Sequence, residues 1–476
     1  MPSNNPLPHQ QRAVDKLLRN DQPGLILWHG LGSGKTRTSI EAYKALHMPT
    51  SVIVPASLAG NYRKELDKWV GGQPKDVDIV SQQLLGRTEE GQKPPLKNEG
   101  LMIVDEAHRL RNAGSNTSRV IHDIPAQKKL LLTGTPIYNH PSDLATLVNT
   151  VAQEDILPMS ESGFEQSYMT KEKVQAPLLA KIFEGAKDSS KKVINERKKK
   201  DLAKILNKYI DYYPGSKEGF PEVKQTTVSV PMSTQQERIY DTIMGKAPWT
   251  VRTMVKYNLP PSKSDITHLR AFLNGARLVS DSTAGFVPEG KEVVSSKIDT
   301  AFKHLKDKLD SDKTYKGIVY SNFINSGVNE YKKRLDANKI PYGEFTGEVK
   351  SSIRDNLVKK YNENKLRVLL LSSAGAEGLD LKGTRMVQVL EPHFNNEKIK
   401  QVIGRAARYQ SHAALPKEKQ NVLVENYLST KPWKDSWWNR LWGIEKPTST
   451  DEYLKNMAEQ KEKLNDQFLD LVRNQQ

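Results

Sequence analysis

The sequence predicts an α/β fold made of two doubly wound parallel-sheet domains, with a helical insertion and a C-terminal helical tail. Three observations carry that expectation. Short aliphatic runs alternate with longer mixed segments over two separate stretches of the chain. A glycine-rich turn follows the first such run, and an adjacent Asp-Glu pair ends a later one. At 476 residues the chain is long enough for two or three domains, each with its own core.

In chain order, residues 24 to about 151 carry the runs Leu25-Ile26-Leu27-Trp28, Ser51-Val52-Ile53-Val54, Leu101-Met102-Ile103-Val104 and Leu130-Leu131-Leu132. Runs of that length ending at turn residues read as buried parallel strands, and the segments between them as helices. Residues 1–151 are therefore expected to form the first domain. From about 152 to 211 the rhythm is lost, and the cationic run Arg197-Lys198-Lys199-Lys200 appears among helix formers. Residues 152–295 are read as a helical insertion and linking segments, with a strand at 223–230 and a helix at 233–244. The α/β pattern returns near Tyr315, with Gly317-Ile318-Val319-Tyr320, Val368-Leu369-Leu370-Leu371 and Met386-Val387-Gln388-Val389-Leu390 as strands. Residues 296–430 are the expected second domain. In the remaining 431–476, Trp433, Trp437, Trp438 and Trp442 admit two readings, core packing or stacking on bases. Leu454, Met457, Leu464, Phe468, Leu471 and Val472 then recur at helical spacing, and that helix is expected to pack on the second domain.

Composition sets the boundary conditions. Hydrophobic residues at 37% and charged residues at 27% fit a soluble globular chain. The absence of cysteine excludes disulfides and cysteine-based zinc sites. The N-terminus lacks signal-peptide character, and no apolar run approaches the ~20 residues a bilayer requires. A soluble, intracellular protein with no membrane association is expected. The 72 Lys and Arg against 56 Asp and Glu leave a net charge of +16, which suits a polyanionic partner such as nucleic acid. A basic solvated surface explains the charge equally well.

Two motifs carry chemistry directly. The stretch Trp28-His29-Gly30-Leu31-Gly32-Ser33-Gly34-Lys35-Thr36 follows a predicted strand and has the form of a phosphate-binding loop. Its glycines let backbone N–H groups curl round phosphates, and the next helix adds its dipole. Lys35 is expected on the β- and γ-phosphates and Thr36 in the shell of a Mg²⁺ ion. His29 stands where the pattern has its first glycine. The second motif is Asp105-Glu106-Ala107-His108, at the end of an apolar strand. There Asp105 is expected to hold Mg²⁺ and Glu106 to orient and deprotonate the attacking water. ATP and Mg²⁺ are thus the expected cofactors.

With these residues the chain resembles superfamily 2 helicases, and more narrowly their Swi/Snf-type branch, whose fold is a pair of RecA-like domains. Val54-Pro55-Ala56-Ser57-Leu58 resembles motif Ia, residues 105–112 the extended motif II, and Leu132-Thr133-Gly134-Thr135-Pro136-Ile137-Tyr138-Asn139 motif III. Met232, Gln235 and Tyr240, then Leu269, Arg270 and Asn274, look like the segments that link the two lobes. Residues 316–323 resemble motif IV, residues 372–381 motif V and residues 401–408 motif VI. Motif V begins Ser372-Ser373-Ala374, and its Gly378 and Asp380 are expected at the nucleotide. In motif VI, Arg405 and Arg408 are one helical turn apart and are expected as arginine fingers. Gln401, a turn earlier, is expected at the γ-phosphate or the lytic water. The resemblance also implies coupling roles for His108, Thr133 and Thr135, and phosphate contacts by Ser57, Ser321 and Ser373. Leu7-Pro8-His9-Gln10 resembles a Q motif, in which Gln10 bonds the adenine edge.

Ala376, Asp380 and Gly404 depart from the remodeller pattern. With Glu391-Pro392-His393-Phe394-Asn395, Tyr212-Tyr213 and Phe220-Pro221, they are similar to the poxvirus nucleoside triphosphatase and early-transcription-factor ATPase. A large DNA virus or a phage is the expected source, and membership of a viral complex is compatible with it. The favoured reading is an ATP-driven, monomeric translocase on duplex DNA. Two alternatives stay open: a strand-separating DNA or RNA helicase, and an ATPase switch subunit of a viral transcription or packaging complex.

Overall fold

The computed structural model describes residues 5–473, apart from 31, 90–91, 138–139, 262, 348–350, 373–378, 394–395, 435 and 442–445. For 263–268, 270–271, 351–352, 397, 438 and 440 it describes the backbone alone. By contacts the chain divides into two units. The first comprises Met1–Thr170, Lys192–Lys217 and Lys463–Gln476, and the second Lys171–Lys191 and Glu218–Glu462.

In the first unit lie β1 (Gly24–His29), β2 (Thr50–Val54), β3 (Val77–Ser81), β4 (Leu101–Val104) and β5 (Lys128–Thr133), of which all but β3 are the expected aliphatic runs. Next in the chain come β6 (Met169–Val174) and β7 (Ser189–Ile194), which pair with each other, and β8 (Ile210–Tyr213). The sheet order is β3-β2-β4-β5-β1-β8, and its pairings are parallel, with Leu25 opposite Leu130 and Ile103 opposite Leu130. Alternate strand residues face opposite ways. Ile26, Ile53, Met102 and Leu131 meet the helices Asp143–Ala152 and Lys199–Tyr209 on one face. Leu25, Val52, Ile103 and Leu130 meet Pro8–Leu18, Lys35–Leu46 and Ala59–Val70 on the other. Burial on both faces explains why these runs are continuously apolar rather than alternating. Because the strands are parallel, β1, β4 and β5 end on one edge, where doubly wound sheets place their ligands.

The second unit repeats the plan with β9 (Glu222–Pro231), β10 (Gly317–Tyr320), β11 (Tyr342–Phe345), β12 (Val368–Leu371), β13 (Met386–Val389) and β14 (Asn421–Thr430). Their order is β11-β12-β10-β13-β14-β9, and the pairings are again parallel. The helix Asn396–Ala406 covers one face through Ile399, Val402, Ile403 and Ala406. The helices Ser296–Ser311 and Asn329–Ala337 cover the other. A helical subdomain contains Thr234–Gly245, Trp249–Lys256 and Lys263–Asp281, joined by Tyr453 and Leu454. Its anchor is a fully buried ion trio in which Lys297 Nζ lies 2.7 Å from Asp281 Oδ1 and 2.8 Å from Asp451 Oδ2.

These units redistribute the expected segments. The expected helical insertion contains strands β6, β7 and β8, and β8 completes the first sheet beside β1. The expected strand at 223–230 is β9, an edge strand of the second sheet paired along its whole length with β14. The end of the helix Thr450–Arg473 packs on the first unit, not the second: Phe468, Leu471 and Val472 join its core, with the Phe468 ring 6.1 Å from that of Phe164. The apolar stripe announces a buried face but carries no information about the surface that buries it.

Candidate functional site

Gly30 leaves β1 with its N–H donating to Tyr213 O at 2.8 Å, and a Cβ there would stand 2.2 Å from Pro214 O. Only glycine fits so close a backbone approach. Gly32 and Gly34 both adopt a φ of +73°, the left-handed region that favours glycine. Gly34 is the N-cap of the helix Lys35–Leu46, so unpaired N–H groups of its first turn face the loop and form an anion cradle. The Ser33 hydroxyl braces this loop by donating to Gly30 O at 2.8 Å. Lys35 Nζ donates to His29 O at 2.9 Å and to Gly30 O at 3.4 Å. Burial lowers the Lys35 pKa, against the opposing charges of Glu106 and Asp105. Leu31 lies outside the described residues.

The loop residue His29 contributes its backbone, not its ring. Its imidazole is fully buried and turns into the sheet, with Nε2 2.7 Å from Asp211 Oδ1. Gln10 is likewise engaged by the protein. Its Oε1 accepts from Leu7 N at 2.9 Å and its Nε2 donates to Ser33 O at 3.2 Å.

The Asp-Glu pair stands at the end of β4. Asp105 is tied down by its N–H to Ile53 O at 2.9 Å and by Gln82 Nε2, which donates to its carbonyl at 2.6 Å. Its Oδ1 accepts from Glu106 N at 2.9 Å. Glu106 adopts a φ of +51°, which an L-residue side chain resists. The two carboxyls are driven apart electrostatically. Burial, then the Glu106 charge, pushes Asp105 up to about 6. Burial also presses Glu106 upward, but the His108 ring, Lys35 and Arg109 outweigh it, so Glu106 ends below its ordinary value. His108 Nδ1 lies 3.2 Å from Glu106 Oε2. Opposite shifts in neighbouring carboxyls mark a division of labour.

At the end of β5, Thr133 is buried and its Oγ1 accepts from Thr135 N at 3.1 Å. A Cβ on Gly134 would lie 3.9 Å from Lys35 Nζ, so this strand end adjoins the phosphate loop. Tyr138 and Asn139 lie outside the described residues. Ser57 is exposed on the single 3-10 turn Ala56–Leu58 after β2.

In the second unit the helix Asn396–Ala406 buries Val402, Ile403 and Ala406, and this leaves Gln401 exposed with Arg405 and Arg408 half-buried. Arg408 Nη1 reaches Asp380 Oδ1 at 3.5 Å. Ser321 does not fit a phosphate contact: it is 1% exposed, and its hydroxyl donates to Glu391 Oε1 at 2.5 Å. Ser373, Ala374, Ala376 and Gly378 of the fifth motif, with Phe394, Asn395 and Trp442, lie outside the described residues, as do the side chains of Arg270 and Trp438. Trp437 is 63% exposed rather than packed in a core. Arg197, Lys198 and Lys200 are exposed.

Sequence reasoning missed Gln82, Arg12 and Asp211, and gave no bracing role to His9 and Tyr213, though both fall in stretches it singled out. No local pattern announces these roles, because each acts across tens or hundreds of residues of chain.

The SNF2-related domain model matches residues 73–279 and the helicase conserved C-terminal domain model matches 298–410. The model of the type III restriction enzyme res subunit matches 3–138. A protein named as an ATP-dependent RNA helicase, L538 of Acanthamoeba polyphaga mimivirus, is 30% identical over 98% of this chain and 96% of its own length. This chain belongs to the SNF2-related helicase family. A termination factor NPH-I homolog of African swine fever virus is 23% identical over 94% of this chain and 75% of its own. The DNA repair and recombination protein RAD54 of Oryza sativa is 23% identical over 89% of this chain and 49% of its own. A solved structure, the Sulfolobus solfataricus SWI2/SNF2 ATPase core in complex with dsDNA, aligns over 99% of the chain and 98% of its own, with 17% identity and a TM-score of 0.38.

Membership makes the chain an ATP-dependent, helicase-like motor enzyme that acts with nucleic acid. The two viral relatives lie on the side to which Asp380 and Gly404 point. Among the described residues no helix is long and apolar enough to cross a membrane.

Proposed function

We propose that this member of the SNF2-related family is a Mg²⁺-dependent ATPase that translocates along double-stranded DNA. The observation that carries the chemistry is the convergence of Lys35, Asp105 and Glu106 at one sheet edge, with Asp105 raised to about 6 and Glu106 held below its ordinary value. The donors fit a hard divalent cation, because the Thr36 hydroxyl and the Asp105 carboxylate offer only oxygen. A bound Mg²⁺ would neutralise phosphate charge and would favour the ionised form of Asp105. Lys35 and the loop N–H groups hold the β- and γ-phosphates, and Glu106 accepts a proton from the attacking water. His108, with its ring beside the Glu106 carboxyl, together with Thr133 and Thr135, links that state to the neighbouring strand end. Arg405 and Arg408, with Gln401, supply positive charge and orientation to the transferring phosphoryl group. Phosphate contacts by Ser57 and Ser373 complete the proposal.

Duplex DNA as the track is supported by the SNF2-related match and by the DNA repair relative. A second reading, strand separation on RNA, is favoured by the printed name of the L538 relative. A third, a switch within a viral transcription complex, is favoured by the termination-factor relative. One experiment separates them: ATPase rates with no nucleic acid, single-stranded DNA, duplex DNA and RNA, alongside strand displacement. Stimulation mainly by duplex DNA without displacement is expected. Displacement of an RNA strand supports the second reading, and stimulation only by a protein partner supports the third. Equal rates under every condition would sink the motor itself.

A further inference from the structure

The phosphate loop is anchored from β8, a strand that carries none of the nucleotide-binding motifs. In the sheet register His29 lies opposite Tyr213 and Leu27 opposite Asp211. Asp211 is 1% exposed, yet it stays ionised: burial presses its pKa upward, and hydrogen bonds from His29 and Arg12 more than reverse that. A carboxylate can only accept, so the proton of the neutral His29 ring sits on Nε2 and is donated to Asp211. Burial lowers the His29 pKa and keeps the ring neutral. Among the described residues the other ring nitrogen, Nδ1, is buried without a hydrogen-bond partner, so Asp211 supplies the ring's hydrogen bond, while His9 and Tyr213 pack against it edge-on.

Asp211 is itself held. Arg12 donates to it through Nε at 3.0 Å and Nη2 at 2.9 Å, and Nη2 also reaches Tyr212 O at 2.7 Å. Beside this chain His9 stacks flat on Tyr213, with centroids 3.7 Å apart and planes 2° apart, while its Nε2 meets Ser33 O at 2.8 Å. At the front, the His29 carbonyl accepts Lys35 Nζ. The peptide that begins the loop is thus clamped by its ring on Asp211, by Gly30 N on Tyr213 and by Lys35 on its carbonyl.

We propose that Asp211, backed by Arg12, is a positioning residue that pre-organises the His29–Gly30 turn for the phosphates of a nucleoside di- or triphosphate. Holding the loop in its binding shape before the ligand arrives removes an ordering cost from binding. That cost is shared by ground state and transition state, so its return when the anchor is removed raises KM and leaves kcat in place. A hydrogen bond to a charged, buried group is at stake, which sets the expected loss at roughly tenfold in affinity.

The test is a cycle of Asp211→Ala, His29→Gly and the double variant in the full chain. ATP hydrolysis kinetics and equilibrium binding of a fluorescent ADP analogue are read for each. Each single variant is expected to raise ATP KM and the ADP dissociation constant by about tenfold, with kcat within about twofold. The double variant is expected to be no worse than the singles, because both break one link. Independent, multiplying losses would overturn the proposal, as would unchanged ADP binding or a fall confined to kcat. Arg12→Gln, at a side chain 45% exposed, carries the same expectation and decides the matter if Asp211→Ala does not fold.

Discussion

Glu106 holds a φ of +51°, a conformation that costs an L-residue ~1–2 kcal/mol. The strain sits at the carboxylate proposed as general base, and His108 is there to hold it ionised. Glu106→Gln should keep the fold and ATP binding while lowering kcat by roughly 10²–10⁴-fold, the range for a lost general base. Hydrolysis at near wild-type rate in that variant would show that the base is misassigned. His29 gives a prediction in pH. Its folded pKa is lowered by burial, so between ~6.5 and that lower value the unfolded chain binds a proton the folded chain refuses. Its contribution to stability is therefore present above ~pH 6.5 and is lost as pH falls through that window. The melting-temperature difference between wild type and His29→Gly should accordingly shrink from pH 7 to pH 5. A constant difference would mean that His29 does not titrate differently on folding.

At the scale of elements, two contacts decide how helices are fastened. Lys297, Asp281 and Asp451 are all fully buried, and they join the ends of three helices. Removing the single cation leaves two carboxylates in the interior, so Lys297→Met should destabilise the second unit by about 3–5 kcal/mol. Urea unfolding of the purified variant measures this, and a loss below ~1 kcal/mol would mean that the acids simply take up protons. Phe468 is the second contact. It lies fully buried beside Phe164, and Phe468→Ala should cost the first unit about 3–5 kcal/mol. The same change would be nearly silent in that unit if the tail packed only on the second.

For the whole molecule, a net charge of +16 and exposed cations such as Arg197, Lys198 and Lys200 make a polyanion contact salt-sensitive. Stimulation of hydrolysis by duplex DNA should need a steeply rising DNA concentration between ~50 and ~200 mM salt, because phosphate contacts release counterions. Replacing residues 197–200 by glutamine should flatten that dependence. An unchanged slope would make the run an ordinary solvated face.

Much of this protein was legible because its chemistry is local in sequence. The loop from His29 to Thr36 and the pair Asp105-Glu106 lie within single strand–turn units, and steric rules for glycine and parallel-strand burial suffice to place them. Arg405 lies on a helix whose buried face is apolar, but that helix ends at Ala406, so Arg408, expected one helical turn further on, stands beyond its end. Tertiary structure decided what depends on partners distant in the chain. The ring of His29 turns to Asp211, Gln10 braces a loop, Ser321 bonds Glu391, and Phe468 enters the first unit's core. Periodicity and motif spacing state which side chains must be buried or charged. Only packing in three dimensions selects the atoms that satisfy them.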